Sequence, residues 1–146
     1  MPMQEQTLVE AIMQARSQLD FLWQFFVTVQ IAIFALVFIY DEAVDNLNVL
    51  ARSLAILGIG IFGWINGNAL RGAYNLLDAM HQQFRADYGQ IERFQSAFYK
   101  QFVMADYSGR DVMLMATHGL AFAVVAMTLL FPRFIQHSNK PKRAQV

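Results

Sequence analysis

Three apolar blocks without a single Lys, Arg, Asp or Glu constrain this chain more than any other feature. They are Phe21–Tyr40, Ser53–Leu70 and Val112–Phe131, of 20, 18 and 20 residues. A helix rises about 1.5 Å per residue, so each block reaches roughly 27–30 Å, the thickness of a bilayer's hydrocarbon core. A soluble bundle would bury such helices, but it would rarely free three of them from charge at this length. The apolar fraction of 56% points the same way, against roughly 45–50% for soluble domains. The expected fold is an all-α integral membrane protein with three transmembrane helices, about 21–40, 53–70 and 112–131, in one domain over 1–146. The first two helices are expected to extend beyond the bilayer as an amphipathic helical stalk.

The extension is read from periodicity. Leu8, Ile12, Ala15 and Leu19 recur at threes and fours, with Arg16, Gln18 and Asp20 to the side. No Gly or Pro interrupts the run to Tyr40, so the spacing predicts one helix of roughly 33 residues. Thr7 and Glu10 form a capping-box match at its start. After Leu70 the stripe continues through Leu77, Met80, Phe84 and Tyr88, which predicts a second helix running on to about Gly89. An amphipathic connector over about 71–108 then carries Ile91, Phe94, Phe98 and Phe102. It is expected to pack on the first helix's extension and not to lie on the membrane surface, because its polar face is not basic enough for an interfacial helix. Asp45 or Asn46 is expected to cap the second helix, and Ser108 with Asp111 the third. Pro132 should end the third span, and a basic tail over about 136–146 reads as disordered.

The cation count is nearly even, six on the stalk side against five on the other, so the positive-inside rule discriminates little. The acidic 41–52 connector and the long stalk favour a cytoplasmic amino terminus and stalk, in a bacterial inner membrane. A net charge of zero suggests no nucleic-acid partner, and the lack of cysteine excludes disulfides and thiolate sites.

Gly58-Ile-Gly60-Ile-Phe-Gly63 matches the dinucleotide pattern, but it lies inside an apolar helix where no strand precedes it and no pyrophosphate can reach. Gly60, Gly63 and Gly67 are better read as a helix-contact face, because glycines four apart let another backbone approach closely. Gln24 and Thr28 share one face inside the first span, and Gln30 is also polar. Asn66 and Asn68 point about 200° apart and cannot share a face. These four, Gln24, Thr28, Asn66 and Asn68, are the candidate lining of a pore; interhelical hydrogen bonding is the competing use. Asp20 and Arg71 flank their spans on the same side and form a candidate ion pair.

His118 is the one ionisable side chain inside a span, and such residues are functional candidates by default. It could serve as a haem axial ligand or a proton-relay group, or simply bond to Thr117, Gln30 or a neighbouring carbonyl. A bis-His haem needs a second intramembrane histidine that this chain lacks. His81 in the stalk has no set of co-ligands for a metal, and Met113, Met115 and Met127 do not converge as copper ligands would. No catalytic triad, carboxylate pair or phosphate loop is present, so no enzyme and no metal site is expected.

The functional expectation is a small homo-oligomeric membrane protein, pore- or channel-like, surrounded by lipid. The alternatives are a non-catalytic accessory or scaffold subunit docking a protein partner through 71–111, and a haem or quinone anchor resting on His118.

Overall fold

In the computed structural model the described residues are 4–131; the expected tail over 136–146 and the stop at Pro132 lie outside them. The described residues form an all-helical chain without strands. Helix α1 spans Glu5–Ile39, α2 Asp41–Asp45 and α3 Val49–Tyr88. A 3₁₀ turn at Ile91–Arg93, one α-turn at Ser96–Phe98 (α4) and a π-turn at Tyr99–Val103 lead to α5, Arg110–Leu130. Three of these helices, α1, α3 and α5, are long and apolar enough to cross a membrane.

The two long helices continue unbroken out of their apolar segments, as their periodicity predicts. Helix α3 has 40 residues and stops at Gly89. A Cβ there would run into the Arg85 carbonyl, so only glycine closes this end without strain. The helical connector expected over about 71–108 is thus helical to Tyr88, and the chain then turns through short pieces. The aromatic spacing still does its work: Phe94, Phe98 and Phe102 stack in sequence, with ring centroids 5.5 and 4.9 Å apart.

The caps differ from the sequence expectation. Thr7 lies inside α1, which begins after Gln4 without a side-chain cap. Helix α3 is capped by Asn48, whose side chain accepts from the Ala51 N–H at 2.8 Å, and not by Asp45 or Asn46. Helix α5 starts after Gly109 at φ 74°, a left-handed backbone that favours glycine, so the Ser108–Asp111 box does not form. Ser108 instead donates its backbone N–H to Asp106, and Asp111 pairs with Arg71 at 2.8 Å. Arg71 is therefore the partner of Asp111, not of Asp20.

The core sits in the stalk. Leu8, Ile12, Ala15 and Leu19 of α1 pack on Leu70, Tyr74, Leu77 and Phe84 of α3, closed by Phe102, Val103 and Leu114. Burying each large side chain away from water contributes about 1.5–3 kcal/mol, so this is where the hydrophobic effect holds the chain together. Within the apolar windows, by contrast, only 11%, 6% and 17% of residues are buried. There the three helices touch along narrow seams and turn most of their side chains outward.

Candidate functional site

The polar residues of the apolar segments divide into one internal cluster and two outward faces. The internal cluster joins all three long helices. Asn66 of α3 is buried, and its amide lies 3.0 Å from His118 Nε2 of α5 and 3.4 Å from the Leu22 carbonyl of α1. His118 Nδ1 lies 3.0 Å from the Leu114 carbonyl, which can only accept, so this nitrogen is the donor. Asn66 Oδ1 is the atom that faces Nε2, and Asn66 Nδ2 donates to the Leu22 carbonyl. One amide and one imidazole thus tie three helices together. The ring lies on Phe26 with centroids 4.0 Å apart and 26° between planes, with Trp23 at 5.8 Å.

This geometry changes the reading of His118. A haem axial ligand needs Nε2 directed at the iron, and here that atom meets Asn66. In this structure His118 joins α5 to α3. Asn66 likewise leaves the candidate pore lining, because it is 4% exposed and its amide is spent inside the protomer.

The glycines act by admitting rings, not backbones. A Cβ on Gly67 would meet the His118 ring at 3.6 Å, and one on Gly60 the Phe122 ring at 3.3 Å. Gly63 has nothing within 4 Å and takes no part in the contact. Within the protomer, Gly60 and Gly67 seat two aromatic side chains of α5, and Gly63 stays open.

Gln24 and Thr28 are exposed on α1, each about 200° around the helix from the buried Phe26. Asn68 is exposed on α3 and returns its NH2 to the Trp64 carbonyl at 2.9 Å. The four candidate lining residues do not converge on a passage within one protomer. Gln30 is buried, and its side-chain oxygen has no partner among the described residues.

Beyond the internal cluster a second layer leads toward the stalk. Trp23 Nε1 donates to the Tyr74 hydroxyl at 3.0 Å, Tyr74 neighbours Tyr107, and the Tyr107 ring lies 5.3 Å from that of His81. His81 is fully buried against Phe102, and neither ring nitrogen has a hydrogen-bond partner. Burial, and then the positive charge of Arg16, hold its pKa below the ordinary 6.5. Among the described residues no three His, Asp or Glu side chains gather as metal ligands.

Sequence reasoning missed Arg52. Its guanidinium donates to the carbonyls of Leu47, Val44 and Asp45, and across to Leu129 of α5 at 3.4 Å. It fastens the far ends of α3 and α5 to the 40–48 loop. Its one sequence signal was its place as the single cation in an acidic connector. Comparison with protein-family models, with curated proteins and with solved structures gives no match to this chain.

Proposed function

We propose that this chain is an integral membrane protein that works as a homo-oligomeric, non-catalytic scaffold, carrying its helical stalk on the cytoplasmic side. The observation that carries this reading is the pair Gln24 and Thr28, exposed on the outward face of an otherwise apolar helix segment. An amide facing hydrocarbon without a partner costs several kcal/mol, and a neighbouring subunit relieves that cost. The alternative relief is water in a pore. The polar line offers little for that: from Gln24 to Thr28 it covers about 6 Å of a core about 30 Å thick, and Ile31 and Ala35 continue it. The three spans bury little of their own surface, which also supports partners within the bilayer.

The stalk supplies the docking body in this reading. Phe98 and Met104 are exposed large apolar residues of the connector, within the 71–111 stretch suited to a protein partner. Six of the eleven Lys and Arg lie on the stalk side, which supports placing the stalk on the cytoplasmic side.

The test is the mass of the detergent-solubilised protein, together with ion flux through reconstituted vesicles. The reading expects a discrete multiple of 16.7 kDa and no flux. A monomer in several mild detergents overturns the oligomer. Flux that falls in Gln24→Leu restores the pore.

A further inference from the structure

Two outward faces of the protomer match in depth. The Asn66 amide against the Leu22 carbonyl and the Phe26 ring stacked on Phe62 set the register of the antiparallel pair α1 and α3. One step up α1 is level with one step back along α3. Gln24 is therefore level with Trp64, Thr28 with Gly60, Ile31 with Leu57, and Ala35 with Ser53. Both series run at spacings of four, three and four, so each is a single helix face.

The two faces differ in shape and chemistry. The α1 series is a ridge directed away from the core, with Ile31 63% exposed. The α3 series borders a groove of about 580 Å³ between α3 and α5, lined by Ser53, Leu57, Gly60, Ile61, Trp64 and Phe122. Trp64 is 73% exposed, and among the described residues neither its indole N–H nor the Gln24 amide has a hydrogen-bond partner. An indole can only donate, so two Trp64 rings cannot satisfy one another, whereas the Gln24 oxygen can accept.

Building on the homo-oligomer reading, we infer that the α1 ridge of one copy seats in the α3–α5 groove of the next, with Gln24 accepting from Trp64. Copies in one bilayer are related by rotation about the membrane normal, which keeps every residue at its depth. Only faces matched in depth can then meet, and these two are. A head-to-tail contact of this kind uses two different patches, so each copy has one ridge and one groove to offer, and a ring forms when the rotation between copies closes.

The chain has no cysteine, which makes disulfide trapping direct. Five variants suffice, oxidised in membranes: the pair Gln24→Cys with Trp64→Cys, the pair Ile31→Cys with Leu57→Cys, each single variant of the first pair, and one mismatched pair. Both matched pairs are expected to give a ladder of cross-linked species ending at one size, and the singles are expected to stay monomeric on denaturing gels. The mismatched pair, Gln24→Cys with Leu57→Cys, about 10 Å apart in depth, should not cross-link. Dimers from Gln24→Cys alone would show an α1–α1 contact and overturn the inference while leaving the oligomer. No cross-link in either matched pair, with the wild-type complex mass retained before oxidation, would also overturn it. If the wild-type protein is itself monomeric, the homo-oligomer reading fails, and the inference with it.

Discussion

Asn66 joins three helices through one amide, and its loss should be felt as an unpaired group. Replacing it with Leu leaves His118 Nε2 without a partner in a half-buried site, at a cost of about 1–3 kcal/mol. Denaturant titration in detergent should register that loss. Adding His118→Phe removes the orphaned nitrogen, and the double variant should recover most of the stability. His81 makes a prediction about pH. Its folded-state pKa lies below 6.5, so the unfolded chain binds the extra proton more readily. The stalk keeps its full stability above about pH 6.5 and loses it as pH falls from there through the folded value. Thermal unfolding followed from pH 8 to pH 5 should show this decline, and His81→Phe should flatten it. At this scale the sequence was a partial guide. It marked His118, Asn66 and Asn68 as polar residues in apolar helices, and the 200° rule separated the two amides. Which amide turned inward depended on where α1 and α5 lie.

At the scale of elements, α1 and α3 were legible almost to their ends, because a 3.6-residue apolar stripe persists from membrane-like into water-like sequence. Their caps were not legible. Thr7, Asp45, Asn46 and Ser108 all have suitable side chains, yet Gln4, Asn48 and Gly109 hold the positions that decide the ends. A capping pattern states what a side chain could do, while the entering chain direction decides whether it does. The glycines of α3 show the same limit. Gly72 has open space around a Cβ, so Gly72→Ala should stabilise the protomer by up to about 1 kcal/mol through helix propensity. Gly60→Ala should gain less or nothing, since its Cβ would press on Phe122 at 3.3 Å. Parallel denaturant titrations of the two variants would separate packing from propensity.

For the whole molecule, close packing is concentrated in one part. The segment outside the apolar windows has a close-packed core, and Ile12→Ala, at a site with no exposed surface, should cost about 2–5 kcal/mol by cavity formation. Leu57→Ala, on the 58%-exposed groove edge, should leave protomer unfolding within about 0.5 kcal/mol and shift the oligomer on size exclusion instead. The sequence by itself determined the all-helical class, the three segments able to cross a membrane, and the continuous stalk helices. These follow from composition and period, which are properties of one segment at a time. Only the tertiary structure decided that Asn66 and His118 close on each other, that Gly60 and Gly67 seat rings, and that Arg71 takes Asp111. It also decided that Gln24 and Trp64 stand outward at one depth. Each of these is a relation between helices, set by the rotation and register at which their side chains interlock, and the pattern along any single helix does not contain it.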